Sequence, residues 1–586
     1  MIKLILLIFI ICFTFVANAS HTNVSVPAPE KSIFQLQGDS IDSVHAAMKE
    51  GKISCVQLVK AYLVRIKTYD LSLSRGAPIN AFVALNPNIM SEATSLDQYY
   101  QRRGHFKGPL HCIPIVVKDN IDTEDSPSTS GSLSMLGSQP TSNAFLVQKI
   151  RDAGGIIIGK GSMDEFASGM SGISSKSGRV GNAIDPNQNP GGSSAGVAAA
   201  VAANFAVAGI GTDNSGSVRI PAAFNGVDGI RPSTGLISNS GIFPRENSDG
   251  VAGVIARNIK DLAITLSVIA KTPNPNDSKT LTIPHRVLTY MPYLNSNAFK
   301  GKRIGVITSV GGKKTFDMNN QPVMKIFKQT FAKLRKLGAI LINIQLPKFN
   351  SDRQYNAAGE VEDINHYLSS FPSTRQTFRD ICTSDRTQTF GGVKGCLDHI
   401  QDTPPKNGTR YKGVLAMFAK NLTYVRGIMQ KHQLTAMLMP LNAEGGPSYD
   451  IKRVNTWRAA VSSNSGLPAI TIIGGYTHSK LAMPVGLELI GRMYGEAKLI
   501  SLAYAYEIHY PKHPFPKLPL PHKLSVLSPM SIPQINNFWT VIGSNSYNQF
   551  LKQAKEQMIT PEQFAELVRN QKATLLKNKA LMHKHV

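Results

Sequence analysis

Short apolar runs bounded by turn formers recur along this chain: IPIVV at 113–117, GIIIG at 155–159, RIGVI at 303–307, AILINIQL at 339–346, TAMLM at 435–439 and PAITII at 468–473. Such runs predict buried strands, with helices between them. The expected class is therefore α/β, a sheet covered on both faces. The segment ISCVQLVKAYLVRIKTY predicts an early helix, with Ser54 as N-cap and Gln57 in the capping-box position. KTPNPNDSKT, from Lys271, reads as a surface connection between a first half and an inserted or second half. From about 350 to 430 the chain turns polar and irregular with scattered aromatics, the kind of segment that roofs a substrate pocket. After Pro521 comes a basic tail. In it Thr560-Pro561-Glu562-Gln563 opens an amphipathic helix carrying Phe564, Leu567, Val568 and Leu575 on one side. Packing onto the parent domain is its expected role, ahead of membrane binding.

The first residues, MIKLILLIFIICFTFVANAS, place Lys3 before an uncharged stretch from Leu4 to Val16, apolar but for Thr14, then Ala17-Asn18-Ala19. This predicts an export signal over 1–19 cleaved after Ala19, giving a periplasmic or secreted protein. An uncleaved anchor is the alternative; the stretch is shorter than the roughly 20 residues a spanning helix needs. Cys12 lies inside the apolar core behind Ile11, which disfavours a lipoprotein. The organisation expected is a signal at 1–19, a catalytic domain at 20–520 that opens with a loose arm to about Gly38, and an extension at 521–586.

Composition changes little in this picture: 42% apolar and 17% charged residues are ordinary for a globular chain. The net charge of +25 becomes +24 without Lys3, since the signal holds no acidic residue. Such a field favours weak attraction to anionic envelope surfaces. No basic stripe interleaved with aromatics marks a specific nucleic-acid footprint. Cys55, Cys112, Cys382 and Cys396 remain in the mature chain, and an oxidising compartment permits two disulfides. Sequence does not choose among the three pairings. Cys382 with Cys396 closes the shortest loop and would leave Cys55 with Cys112, while buried free thiols are the alternative.

The chemistry is sought in GGSSAG at 191–196, between Asn-Pro and the alanine-rich run VAAAVAANFAVAG. Gly192–Gly196 satisfies G-x-S-x-G, but that elbow needs a buried strand just before the serine, and GRVGNAIDPNQNP is full of turn formers. A phosphate loop fails too, because no Gly-Lys-Ser/Thr follows. A second small-residue cluster, GIGTDNSGSVRIPAA at 209–223, again puts a serine, Ser217, after glycine. Two such turns joined by an alanine-rich helix can pack backbone against backbone, which only small residues permit.

These two clusters, with PIVVKDNID upstream, GKGSMDEFASGMSG at 159–172, LPAITIIGG, MPVGLELIGR and EAKLISLAYAYE, together resemble the amidase signature family over most of residues 40–511. The resemblance implies the amidase-signature fold, a central mixed β-sheet covered by helices on both faces. It also implies a catalytic set of Lys118, Ser193 beside an unusual cis peptide bond, and the nucleophile Ser217. Backbone N–H groups of Asn214, Ser215, Gly216 and Ser217 would form the oxyanion hole, with Ser194, Asp213 and Arg219 in support. The sequence departs from the family's pattern at Ser215 and Ala195, where glycine is common, and at Arg231, where lysine is common. Ser215 must therefore tolerate the turn's backbone angles or reshape the oxyanion hole.

A desolvated lysine can be neutral near pH 7 and serve as the base a serine needs. The function expected is hydrolysis of a small-molecule or peptide amide, releasing ammonia or an amine. No cofactor or metal is expected. The alternatives are the glutaminase-type component of a tRNA-dependent amidotransferase, which an export signal argues against, and a catalytically idle envelope-binding protein. Neither the acyl group nor the oligomeric state is legible.

Overall fold

The structure, a computed structural model, describes residues 36–512 other than 37, 73–76, 245–249, 284–286, 317, 349–358, 385, 387–391, 442–457 and 478–481, together with residue 518. The expected export signal and the helix expected from Thr560 lie outside the described residues. Among those described, no helix is long and apolar enough to cross a membrane.

In chain order the strands are β1 Phe82–Leu85, β2 Pro114–Lys118, β3 Ile156–Gly161, β4 Ile173–Ser174, β5 Gly178–Arg179, β6 Ala208–Asp213, β7 Asp228–Arg231, β8 Val251–Ala256, β9 Arg303–Val310, β10 Lys313–Lys314, β11 Ile340–Leu346, β12 Ala436–Pro440, β13 Ala469–Tyr476 and β14 Pro484–Ile490. Each of the six apolar runs became one of them. Twelve strands join in the order β1-β3-β2-β6-β8-β7-β13-β14-β12-β9-β10, with β11 on β9; β4 and β5 pair separately. The sheet is mixed. β2 runs parallel to β3 and β6, and β9 parallel to β11 and β12, whereas β8 is antiparallel to β6 and β14 to β13. Every residue of β2, β6, β8, β12 and β14 is buried. Because successive side chains point to opposite faces, both faces must be covered.

The helix Cys55–Tyr69 starts as expected: Ser54 Oγ accepts from Gln57 N at 3.2 Å and Ser54 N donates to Gln57 Oε1 at 2.9 Å. The helix Ala195–Ala202 is buried at all eight positions. It lies close enough to the sheet that a Cβ on Gly196 would stand 2.5 Å from Ser162 N and nearer still to Ala81 O. That is the physical reason for a run of alanine and glycine: larger side chains would hold the turn before it away from the strand ends.

The segment expected to be irregular is largely helical, at Glu360–Ser369, Phe378–Cys382, Gly392–Asp402 and Thr409–Lys431. The longer helices bury only a narrow stripe, such as Val414, Asn421, Val425 and Met429 in the last of them. The polar majority therefore masked the helical period. Ile364, Tyr367, Phe371, Phe378 and Ile381 pack against Met135, Phe166 and Phe243 of the central body. Disulfides join Cys382 to Cys396 and Cys55 to Cys112, with Cα atoms 5.3 and 5.5 Å apart.

Close packing of the small-residue helix makes a direct prediction. Gly196→Ala should destabilise the protein by roughly 1–3 kcal/mol through overpacking, read as a lower midpoint in urea with an unchanged slope.

Candidate active site

β2 and β6 pair with Ile115 opposite Ala208, Val116 opposite Gly209 and Val117 opposite Ile210. Lys118, the last residue of β2, therefore lies beside the end of β6, where Thr212 and Asp213 lead into the second serine turn. Carboxyl ends of parallel strands are where α/β proteins place their ligands. Lys118 is fully buried, and its Nζ lies 2.7 Å from Ser193 Oγ, 2.8 Å from Thr212 Oγ1 and 3.5 Å from Thr212 O. Burial brings its amine down to about 7, against the opposing pull of the Asp164 and Asp213 carboxylates. Asn120 Nδ2 donates to Thr212 Oγ1 at 3.2 Å, fixing the hydroxyl that faces the lysine.

The GGSSAG turn meets this edge with its Gly192–Ser193 peptide bond cis. Asp164 N donates to Ser193 O at 3.2 Å, and Ser194 N donates to Ser217 O at 3.1 Å, so the two serine turns are joined through the backbone. Ser194 Oγ lies 3.3 Å from both the N and the O of Thr212, tying its turn to β6 as well. Ser193 and Ser194 are buried and Ser217 is 2% exposed. The structure thus brings Lys118, Ser193 and the backbone of Ser217 to one place.

Asp213 organises the second turn. Its carboxylate accepts from Gly216 N at 2.8 Å and Val218 N at 3.1 Å, and meets the Arg219 fork through Nη2 at 2.9 Å and Nε at 3.0 Å. Arg231 Nη1 donates to the Asp213 carbonyl and lies 3.4 Å from Oδ1. Burial alone would raise this carboxyl, but Arg219 and Arg231 hold it well below the ordinary carboxylate range. Asp213 and Arg219 are both wholly buried and face no solvent.

The turn's left-handed residue is Gly216, at φ +110°, where a Cβ would also stand 2.7 Å from Ala459 Cβ. Ser215 is not among the residues with positive φ, so its departure from glycine needs no unusual backbone. The Gly216 N–H, expected at the oxyanion hole, is instead committed to Asp213. A carboxylate three residues back along the same turn competes for that donor, which spacing alone could not reveal.

Three residues escaped sequence reasoning as individuals. Thr212 holds the lysine amine, and Asp164 accepts from Ser171 N and Gly172 N at 3.1 and 3.0 Å while fastening Ser193. Glu488 pairs with Arg219 from β14. Each had a weak signal, a polar residue inside an otherwise small or apolar segment: GIGTD, GKGSMDEF and VGLELI. Among the described residues, Cys55, Asp97 and Cys112 cluster closely enough to suggest a metal, but the sulfurs are joined and Asp97 accepts from Cys55 N and Val56 N at 2.7 and 3.0 Å. A cavity of about 390 Å³ between Lys333, Tyr476, Tyr510 and Lys512 includes none of the serine-turn residues.

The site thus sets a buried amine beside a serine hydroxyl at the strand ends of a mixed sheet, and comparison with known proteins gives the class of the chain. The family model described as Amidase matches residues 57–500. A putative amidase of Arthroderma benhamiae is 29% identical over 512 residues, 80% of this chain and 81% of that one. A glutamyl-tRNA(Gln) amidotransferase subunit from Chloroflexus aurantiacus is 30% identical over 498 residues, 80% of this chain and 96% of its own. The crystal structure of the peptide amidase from Stenotrophomonas maltophilia superposes with a TM-score of 0.71 at 29% identity, covering 83% of this chain and 98% of that one. This chain belongs to the amidase signature family and is an amide hydrolase.

Removing one buried charge from the second turn tests its architecture. Asp213→Asn should cost about 3–5 kcal/mol, since the buried Arg219 and Arg231 both lose the charge of a carboxylate they share, measured by chemical denaturation.

Proposed function

We propose that this protein is an exported amidase that cleaves a carboxylic amide through an acyl-enzyme on Ser217. The observation that carries the reading is Lys118 Nζ, buried and 2.7 Å from Ser193 Oγ, in a turn whose backbone is bonded to Ser217. An uncharged Lys118 has two N–H bonds and one lone pair. Thr212 Oγ1 and O accept the N–H bonds, which leaves the lone pair toward the Ser193 hydroxyl. As Ser217 Oγ bonds to the amide carbon, its proton passes to Ser193, and the proton of Ser193 passes to Lys118. The carbonyl oxygen gains negative charge, stabilised by the N–H groups of Ser217 and its neighbours Asn214 and Ser215; each well-placed donor is worth roughly 3 kcal/mol. Collapse of the adduct breaks the C–N bond while the relay runs backward to protonate the departing nitrogen. Water then attacks the ester, giving the carboxylate and free Ser217.

Peptide C-terminal amides are the substrate class we favour, on the likeness to the peptide amidase. The amidotransferase relatives support a second reading, glutamine hydrolysis for a partner. Two disulfides support the oxidising compartment implied by the N-terminal signal.

Ser217→Ala should lower kcat/KM on a C-terminal peptide amide by at least about 10³-fold, scored by released ammonia, and a serine-directed fluorophosphonate should label Ser217 in the unaltered protein. Turnover retained by Ser217→Ala would overturn the mechanism, and hydrolysis of glutamine but of no peptide amide would favour the second reading. The base works only when unprotonated, so the rate should be flat above about 7 and fall as pH drops below it. Asp164→Asn removes a charge that favours the ammonium, and should shift that limb to lower pH. Sequencing of the native N-terminus should begin at Ser20; Met1 there would overturn export with cleavage.

A further inference from the structure

Glu488, in the middle of β14, has no place in the relay described above, yet it completes the arrangement that holds the nucleophile turn. Arg219 uses all of its donors. Nε and Nη2 form the fork on Asp213, Nη2 also donates to Ala459 O at 3.1 Å, and Nη1 donates to Ser462 Oγ at 2.7 Å and to Glu488 Oε2. The oxygens of Asp213 that receive this fork also receive Gly216 N and Val218 N, the residues on either side of Ser217. A chain of short contacts therefore runs from Glu488 to the backbone flanking the nucleophile.

We propose that Glu488 is a positioning residue for amide hydrolysis: by balancing and orienting Arg219, it sets the Arg219–Asp213 fork and hence the placement of Ser217. This rests on Ser217 being the nucleophile. Charge gives the argument its direction. Arg219 is wholly buried between two carboxylates, Asp213 on one side and Glu488 on the other, so the Glu488 charge helps set where the guanidinium rests. Removing one partner of a buried ion pair leaves the other charge less compensated, and here that other charge belongs to the arginine whose fork holds Asp213.

The groups facing Glu488 are Arg219 and Asp213 from the nucleophile turn, Arg231 from β7 and Ser462 Oγ at 3.5 Å from the helix Ala460–Ser463. Its pairing neighbours, Thr471 on β13 and Met439 on β12, do not titrate. Burial pushes the Glu488 carboxyl up to about 7, against the pull of Arg219, although the ionised form is the one that pairs with Arg219. Two protonations, at Lys118 and at Glu488, should therefore switch the enzyme off over the same pH range.

The test is Glu488→Gln, which keeps an acceptor for Arg219 and loses the charge, with kcat normalised by fluorophosphonate titration of active sites. We expect kcat to fall on the order of 10- to 100-fold, as for a displaced reacting group, with KM within about twofold of the parent. The acid limb of log kcat should change from a slope approaching about two to a slope of about one. Unchanged kcat and limb steepness would overturn the proposal, as would a loss of folded protein alone with the limb as steep as before. If Glu488→Gln does not fold, Ser462→Ala removes the neighbouring acceptor of the same Nη1: reduced kcat at constant KM supports the proposal and unaltered kcat overturns it. Ser217→Ala assayed alongside separates the two claims, because turnover surviving there removes the mechanism itself, whereas a dead Ser217→Ala with an unaffected Glu488→Gln removes only this inference.

Discussion

An amine held out of water at the end of a central strand is the constraint around which this protein is built. Lys118 has no room to be a solvated ammonium, and the carboxylates of Asp164 and Asp213 favour its charge without undoing the effect of burial. The amine is therefore left near the balance point between protonated and free forms, as the proposed relay requires at neutral pH. Everything that touches it must be small or backbone: a threonine carbonyl and hydroxyl, a serine hydroxyl, and the close-packed turn before Ala195–Ala202. Glycine at 196 and alanine along that helix follow from this approach, because a bulkier face would lift Ser193 off the strand end.

Set beside Lys118, Arg219 shows the opposite use of a buried cation. Lys118 meets neutral oxygens and stays responsive to protons. Arg219 meets two carboxylates, and their pull outweighs the burial that would lower its pKa. One is a chemical group, the other a fixed strut, and the difference lies in whether carboxylates contact them directly. Asp213 serves both, as a distant charge on the lysine and as the anchor of the turn that bears Ser217.

The helices between Glu360 and Lys431 are organised by different forces. Their aromatic cluster joins Met135, Phe166 and Phe243 of the central body, and Tyr367 adds a hydrogen bond from its hydroxyl to Asp122 Oδ1 at 2.6 Å. Phe166 follows Asp164 by two residues, so these helices rest on the same segment that fastens Ser193.

Much of this was legible in the sequence. Six apolar runs marked six strands, five of them largely buried as expected, whereas among the described residues β11 pairs only with β9 and leaves Ile340 exposed; Ser54 with Gln57 marked a helix start because capping is a local interaction. Lys118, Ser193 and Ser217 could be singled out because their motifs are long and ordered. The helices between Glu360 and Lys431 were hidden, since the longer ones bury so little that polar residues dominate their composition. The commitment of the Gly216 N–H to Asp213, and the pairing of Arg219 with a glutamate 269 residues further along, were decided only by the tertiary structure. Sequence by itself determined which residues could carry the chemistry, because residue type and local spacing are one-dimensional properties; which hydrogen bonds they would spend on one another depends on distances that exist only once β6, β7 and β14 have been laid in the same sheet.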